Sequence, residues 1–522
     1  MNKRTFHMIG LTVLRVFLGM SGVFYALLFK EVIDNAVAHK LSAVKKYCIY
    51  LVIMVIMILL IRAVARFIEE LIRSTYENEL KLSLYEDILR RDYAAVKSKH
   101  DAEWMNRLTS DTKVVADGMT DIIPGIAEMG IRTLSAMIAI ICMKPSFLWP
   151  ALCGGVCMLL FSGVFRKLHR KFHKDVQEAE GRVRISLLDH IESLDIIKAY
   201  AKEEVSVKDA SLLMNNHKKS RLKRQLLSAI TSLGFSGIVN GAYFAGVIYG
   251  AYSLYMGTMS YGTLMALLTL INQFQMPLSS ISGFVPRYYA CKESRNRLSC
   301  LSGCPLDKSS ESLGKCDAIV CDGVTFAYGE EDVLSGITLE IKRGEKIGIY
   351  GMSGYGKSTL LRLMLGLYPL KSGRMFALID GHEQMIDSST RGLFSYVSQD
   401  FRLMSGSIRK IVTYEDVCDE ERLKKALDVA CCDFVYELED GLDTVIGDGG
   451  KGLSGGQMQR LSIARAVYAD RQIMILDECT SALDSDIRKR VLENLSGLEG
   501  KTYVYVTHQE DVLSICDRCY KI

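Results

Sequence analysis

Neither sign of charge dominates this chain. Its 64 Lys and Arg against 60 Asp and Glu leave only +4 over 522 residues, which makes no electrostatic case for a nucleic-acid partner. The 15 cysteines are an odd number, and Cys142, Cys153 and Cys157 sit in apolar runs where a thiol acts as a small hydrophobe. No disulfide framework is implied, and a reduced compartment fits. Cys516-Asp-Arg-Cys519 is a lone C-x-x-C with no second pair and no nearby histidine, so it argues for neither zinc nor redox chemistry. The first apolar run lacks a small-residue cleavage site and is too long for a signal peptide.

What the chain has in quantity is apolar sequence, 49% of it hydrophobic, with a greasy first half and a more polar last 200 residues. Two domains are expected. Six runs match the roughly 20 residues that a helix needs to cross a bilayer: 6–29, 47–66, 122–143, 147–165, 229–255 and 261–285. The connection 166–224 holds 15 Lys and Arg and 62–113 holds ten, while the other connections carry very few. The positive-inside tendency therefore puts these two connections and both termini in the cytoplasm. Leu71, Ile72, Leu80, Leu84 and Ile88 recur at near-helical spacing among charges, so the second span is expected to continue as a long cytoplasmic arm. Few polar groups fall within the spans. Glu128 and Arg132 stand at i, i+4 and suit a mutual pair. Asn240, Asn272, Gln273 and Gln275 suit either bonds between helices or a substrate path. Gly234, Gly237, Gly241, Gly246 and Gly250 suggest close packing of the fifth span.

After a polar connector expected over 288–315, strands are expected at 318–326 and 336–341. The apolar run 346–350 then leads into Gly351-Met-Ser-Gly-Tyr-Gly-Lys-Ser358 and the helical run from Thr359. Strand, glycine-rich loop and helix are the order of a phosphate cradle. Gly351, Ser353, Gly354 and Gly356 let backbone N–H groups turn onto phosphate oxygens, Lys357 reaches the terminal phosphates, and Ser358 is placed for Mg²⁺. Ile473-Met-Ile-Leu-Asp477-Glu478 is an apolar strand ending in two carboxylates: Asp477 suits the Mg²⁺ shell, and Glu478 suits polarising an attacking water. The strand 503–507 delivers His508 to its end, where it can contact a γ-phosphate. Leu453-Ser454-Gly455-Gly456-Gln457 heads another helix and forms a second anion site.

Together these motifs resemble the ABC transporter family, specifically its exporter-type half-transporters, and the resemblance covers nearly the whole chain. Residues 351–358 resemble the Walker A loop, 473–478 the Walker B strand, 453–457 the signature, Ser481-Ala-Leu-Asp484 the D-loop, and His508 the switch histidine. Gln399, in Tyr396-Val-Ser-Gln399, is similar to the Q-loop that senses Mg²⁺ and the membrane domain. Tyr328 matches the aromatic that stacks on adenine. Thr444-Val-Ile-Gly-Asp-Gly449 is similar to the exporter-specific loop, with Asp448 where Glu is usual. Met105-Asn-Arg-Leu-Thr-Ser-Asp111 and Asp195-Ile-Ile-Lys-Ala-Tyr200 resemble the two intracellular coupling segments.

The fold implied is an all-α six-helix transmembrane domain with long cytoplasmic helical extensions over 1–300, a linker over 301–315, and an α/β P-loop ATPase domain over 316–522. The resemblance implies ATP and Mg²⁺ as ligands. It also implies a second half-transporter as partner, in a homodimer or a heterodimer, because each ATP lies between one domain's phosphate loop and the other's signature. The activity implied is ATP-driven export of a lipid, peptide or drug-like substrate from a bacterial plasma membrane. An importer on the same fold, or an ATP-gated channel, is the alternative. Relatives usually begin with an amphipathic elbow and continue past the switch histidine through another strand and helices, so a slightly reduced adenine side is expected here.

Overall fold

The computed structural model describes residues 3–522 except 309–312, 353, 355, 402, 416, 448, 449 and 451. Contacts divide the chain into two units, Met1–Glu86 with Ala102–Cys300, and Asp87–Asp101 with Leu301–Ile522. In chain order the helices of the first half are α1 (Lys3–Val37), α2 (Leu41–Arg90), α3 (Tyr93–Lys97), α4 (Asp101–Asn106), α5 (Thr112–Met143), α6 (Leu148–Glu192), α7 (Leu194–Ala199), α8 (Glu203–Tyr255) and α9 (Tyr261–Leu298). A run of apolar residues in lipid has to satisfy its backbone internally, and the helix does so. Apolar windows long enough to cross a membrane occur in Thr5–Val37, Leu41–Arg90, Asp101–Met143, Pro145–Glu192 and Glu203–Tyr255. The sixth expected span falls within α9, where the side chains of 278–283 and 285 lie outside the described residues.

Helices α2 and α8 run for 50 and 53 residues. At 1.5 Å per residue each is about 75 to 80 Å long, well over twice the ~30 Å hydrocarbon core. The helical spacing beyond residue 69 is thus part of one continuous rod. The expected connector over 288–315 is shorter than the sequence suggests. Residues 288–298 contain neither Gly nor Pro, and they extend α9 to Leu298.

Helix α9 supplies most of the membrane unit's core. Leu264, Leu267, Leu270 and Ile271 pack with Ala26 of α1, Ala136 and Ile140 of α5, and Phe147. Its N-terminus is pinned by Asp34, whose carboxylate accepts from the Ser260 hydroxyl and the Gly262 N–H, both at 2.8 Å. Among the α8 glycines, Gly234 lies against Phe161, Gly246 against Ile271 and Gly250 against Leu264, while Gly237 and Gly241 meet nothing within 4 Å. Close packing therefore accounts for three of the five.

The charged groups of the spans form more than the expected pair. Arg132 donates to Glu128 at 2.9 Å, but Glu128 also accepts from Arg15 of α1 at 3.0 Å, and Arg15 reaches Glu69 of α2. Arg73 continues the chain to Glu69 at 3.2 Å, Asp117 at 2.9 Å and Asp121 at 3.3 Å. Alongside it, Leu11 and Leu18 pack with Ala65 and Ile72. The network and this small core fasten α2 to α1 and α5.

The second coupling segment coincides with the exposed short helix α7. The first is placed differently from expectation. Residues 105–111 belong to the membrane unit, where Asp111 is buried and accepts from Arg297 at 2.9 and 2.6 Å and from Ser294 at 2.8 Å. Arg107 donates to the Arg297 carbonyl at 2.9 Å. This motif clamps the start of α5 onto the end of α9 through a π-helical turn, Arg107–Asp111. The segment that packs with the nucleotide unit is Asp87–Asp101, where Asp92 N–H bonds the Pro305 carbonyl and Tyr93 of α3 meets Tyr368 edge-on at 5.5 Å.

In the nucleotide unit, β1 (Cys316–Ala327) and β2 (Asp332–Lys342) form a hairpin longer than the two expected strands, because antiparallel pairing extends it at both ends. They are followed by β3 (Lys346–Tyr350), α10 (Lys357–Met364), β4 (Ser372–Ile379), β5 (His382–Met385), β6 (Phe394–Val397), β7 (Gly406–Ser407), α11 (Ile408–Thr413), α12 (Glu420–Val429) and β8 (Val445–Ile446). Then come α13 (Gly455–Tyr468), β9 (Ile473–Asp477), α14 (Ser485–Ser496), β10 (Thr502–Val506), α15 (Glu510–Leu513) and β11 (Arg518–Lys521). The antiparallel sheet has the order β2-β1-β4-β5, and the parallel sheet β11-β3-β10-β9-β6. The strand expected to be missing after the switch histidine is therefore present: β11 pairs with β3.

Substituting Arg15 with Met leaves Glu69 and Glu128 without their shared partner, and is expected to cost about 2 to 3 kcal/mol. Thermal unfolding in detergent checks this. Combining it with Glu128→Gln should cost less than the sum of the single changes.

Candidate functional site

The parallel order of the sheet brings the carboxyl ends of β3, β6, β9 and β10 to one edge, where open α/β sheets carry their ligands. From β3 the chain turns through Gly354 and Gly356, at φ of +89° and +90°. Gly356 is also the residue before α10, where a Cβ would lie 2.6 Å from Leu334. Lys357 is buried, and its ammonium donates to the carbonyls of Gly351 at 2.7 Å and Met352 at 3.0 Å, which aims it back across the loop. Ser353, one of the expected cradle residues, lies outside the described residues, as does the Asp448-Gly449 end of the exporter-type loop.

Asp477 ends β9, is 2% exposed, and accepts a hydrogen bond from Ser358 at the start of α10. Burial lifts its carboxyl above the ordinary range, the Ser358 bond pulls the other way, and adjacent Glu478 adds to the lift. A hydroxyl and a carboxylate side by side are hard oxygen donors of the kind Mg²⁺ takes beside a nucleotide's phosphates, so the residues present fit that ion.

Glu478 follows in the left-handed region at φ 49°. Gln399, two residues past β6, donates its amide to the Glu478 carboxylate at 2.9 Å, and the His508 ring lies 3.7 Å from the other carboxylate oxygen. Two residues expected from separate motifs, Gln399 and His508, thus meet around the carboxylate of a third.

The signature residues head α13. Ser454 caps the helix by accepting from Gln457 N–H, and the Gln457 side chain accepts in return from Ser454 N–H at 2.8 Å. Gly456 passes so close to the D-loop that a Cβ would meet the Ala482 carbonyl at 2.9 Å. Leu453 packs on the helical core, and Ser454 and Gly455 are exposed. Asp484 caps α14 by accepting from Ile487 N–H at 2.9 Å. Tyr328 sits elsewhere on the rim, edge-on to Phe326 and Tyr368. Its hydroxyl lies 3.3 Å from the Thr359 hydroxyl and accepts from Arg362 at 3.1 Å.

One residue in this constellation was not picked out by motif. Gln459, fully buried on α13, donates to the Glu478 carbonyl at 3.0 Å and accepts from Ala482 N–H at 3.0 Å. A second link joins Thr480 to Gln509 at 2.7 Å, just beyond His508. Polar residues on a helix usually read as a solvated face, so no pattern in the sequence marks Gln459. Its position two residues after the signature is the available signal.

The fold and site define a membrane-embedded P-loop ATPase. Comparison with known proteins is specific. Residues 8–278 match the ABC transporter transmembrane region, and 334–481 match the ABC transporter domain. The chain is 29% identical over 520 residues to an ATP-dependent lipid A-core flippase of Chromobacterium violaceum, covering 94% of this chain and 86% of the relative. It is 32% identical over 375 residues to the protein of that name from Desulfotalea psychrophila, covering 68% of this chain and 63% of the relative. A solved bacterial Atm1-family ABC exporter with ATP bound shares the fold, with a TM-score of 0.85 at 18% identity, over 100% of this chain and 94% of that one. The chain belongs to the ABC transporter family, in the half-transporter arrangement with both parts fused. It is an ABC-type ATPase coupled to transmembrane export.

Replacing Glu478 with Gln should leave ATP binding intact and lower hydrolysis by at least about a hundredfold; turnover at the wild-type rate would remove Glu478 from the catalytic role. Gln459→Ala leaves a carbonyl and an N–H unpaired, worth about 1 to 3 kcal/mol. It should lower kcat with little change in the KM for ATP. An acid whose folded-state pKa is raised stabilises the fold at low pH and loses that contribution as pH rises through the folded value. Asp477→Asn should therefore melt above wild type at pH 7 in the absence of Mg²⁺ and nucleotide, with the gap closing toward pH 4, while hydrolysis is lost.

Proposed function

We propose that this chain pairs with a second half-transporter and exports an amphipathic, lipid-like substrate by alternating access. The nucleotide unit would face the cytoplasm of a bacterial cell. ATP binding closes the two nucleotide units and hydrolysis reopens them. A second copy of the same chain suffices as partner, since this one carries a phosphate loop, a signature and a full set around Glu478. The observation that carries the reading is the wiring of Glu478. Its carboxylate is held by Gln399, and its backbone is held by Gln459 on the helix that begins with the signature. Engagement of that signature by a partner's nucleotide would thus be felt at the catalytic carboxylate.

In this mechanism Lys357 and the loop N–H groups hold the terminal phosphates. Glu478 polarises the attacking water, and His508 contacts the γ-phosphate. Ser358, Asp477 and Gln399 would hold Mg²⁺, which would supply charge neutralisation at the phosphates. Tyr328 would have to turn from Thr359 and Arg362 to stack on adenine. Exposed Leu194, Ile196 and Tyr200 at the α7 tip offer an apolar surface suited to a second chain. A lipid-like substrate is supported by the flippase relatives. It is also supported by an apolar cavity of about 420 Å³ between α1 and α2, lined by Phe17, Phe24, Leu27, Met54 and Met57.

Inverted vesicles holding the protein should move a fluorescent phospholipid reporter toward the lumenal leaflet only with ATP, and the Glu478→Gln variant should not. Movement in the opposite direction would make the protein an importer, and ATP-dependent current across a planar bilayer would make it a channel.

A further inference from the structure

Cys516-Asp-Arg-Cys519 stands alone in the sequence, but the fold gives its two thiols a common seat. The chain leaves α15, bends at Asp517 and enters β11, whose Cys519 lies opposite Gly348 of β3 in the parallel register. Gly348 has no side chain to fill the face above it, and both sulfurs occupy that space: a Cβ there would lie 3.0 Å from the Cys519 Sγ and 3.3 Å from the Cys516 Sγ. The Cys516 thiol donates to the Val512 carbonyl at 3.3 Å and the Cys519 thiol to the Leu513 carbonyl at 3.7 Å. Both therefore rest on the end of α15, within hydrogen-bonding reach of each other. The two differ in access, since Cys519 is exposed and Cys516 half-buried. Burial, the neighbouring thiol and Asp517 push the Cys516 thiol up to about 12, so it keeps its proton at neutral pH and the exposed Cys519 meets a reagent first.

The pair stands beside the phosphate loop. β11 is the edge strand of the parallel sheet and pairs with β3, the strand that runs into Gly351. At the foot of β3, Asp517 N–H bonds the Lys346 carbonyl at 2.8 Å and the Asp517 carboxylate accepts from Lys346 N–H at 2.8 Å. At its head, Ile522 N–H bonds the Tyr350 carbonyl at 2.9 Å, and a Cβ on Gly351 would lie 2.1 Å from the Ile522 carbonyl. A disulfide holds its two Cα atoms about 4.4 to 6.8 Å apart, and a chain already in strand advances about 3.3 Å per residue. Closing a bond between Cys516 and the second residue of β11 therefore tightens the bend at Asp517 and draws β11 against its register with β3.

We propose that Cys516 and Cys519 are a reversible oxidation site, at which a small-molecule disulfide converts the dithiol to an internal disulfide and thereby weakens ATP binding at the phosphate loop. Cys519 attacks one sulfur of the reagent, forming a mixed disulfide and releasing one thiol, which takes the Cys519 proton. Cys516 then attacks the Cys519 sulfur, and the second reagent thiol leaves with the Cys516 proton as the internal bond forms. The protein is oxidised by two electrons and the reagent is reduced to two thiols. In a compartment that keeps thiols reduced, such a bond is a transient signal and not a structural staple. The test treats the full-length protein in nanodiscs with hydroxyethyl disulfide, blocks it with N-ethylmaleimide, denatures it and cuts it with trypsin, which cleaves after Arg518. In the wild type the peptides on either side of that cut should stay joined until dithiothreitol is added. The oxidised protein should show a KM for ATP raised severalfold, restored by dithiothreitol. Cys519→Ser should keep its untreated KM after the same treatment, and Cys516→Ser should carry the reagent on Cys519 without an internal bond. Peptides that separate without reductant in the wild type would overturn the site. An unchanged KM in protein shown to hold the bond would overturn its effect on the loop. The same rise in KM in Cys519→Ser would overturn the proposal by placing the effect at another of the 15 cysteines.

Discussion

A single buried amide holds the catalytic end of the nucleotide unit together. Gln459 takes the Glu478 carbonyl on one side and the Ala482 N–H on the other, so the end of β9, the turn before α14 and helix α13 share one side chain. The constraint matters because Glu478 has left-handed backbone geometry, which costs a non-glycine residue on the order of 1 to 3 kcal/mol. Its N–H is tied to the Val506 carbonyl at 2.8 Å and its carbonyl to Gln459. Held at both ends, the residue turns its carboxylate toward Gln399 and His508. Without these ties, the chain after β9 would have no reason to turn there.

The membrane unit solves a different problem with similar means. A charge within a span is tolerable only when paired, and here Arg15, Arg73 and Arg132 share Glu69, Glu128, Asp117 and Asp121 across α1, α2 and α5. Sharing makes each ion depend on several partners, so one helix cannot slide without disturbing the pairing of the others. Arg107 and Asp111 do the same just before the start of α5, against Arg297 of α9. There burial alone would raise the Asp111 carboxyl, but the Arg297 and Ser294 hydrogen bonds outweigh it and keep it below the ordinary range. The long rods are thus fastened by ionic joints at defined heights, with apolar packing between them.

The sequence is most legible where chemistry is local. A phosphate loop needs glycines, Lys357 and Ser358 in consecutive positions between a strand and a helix, and Asp477 and Glu478 need one buried strand to carry them. Pattern alone locates both. Groups whose partners are distant in the chain are less legible. Arg15 reads as a blemish in an apolar run until Glu128, 113 residues away, is seen to accept from it. Gln459 reads as one more polar residue on a helix. Residues 105–111 resemble a coupling segment of the family, yet their Asp111 serves Arg297, 186 residues away. The end of α9 was hidden because residues 288–298 carry no apolar periodicity and are helical through propensity and continuity.

Coupling between the two halves has an energetic condition. A ligand shifts an equilibrium only by its difference in affinity for the two states, and moving a population from 1:99 to 99:1 takes about 5.5 kcal/mol. A phosphate loop that bound ATP equally well alone and in a dimer would supply none of it. On the proposed pairing the signature changes that, because Ser454 and Gly455 stand exposed at a helix N-terminus whose N–H groups are open to a phosphate carried by another chain. ATP would then bind the closed pair more tightly than the open one. Hydrolysis removes the γ-phosphate that such a signature would hold, and with it the difference in affinity. The same helix carries Gln459, so on that proposal the element that meets the partner's nucleotide is also the one that fixes Glu478, and the site would be complete only in the closed state.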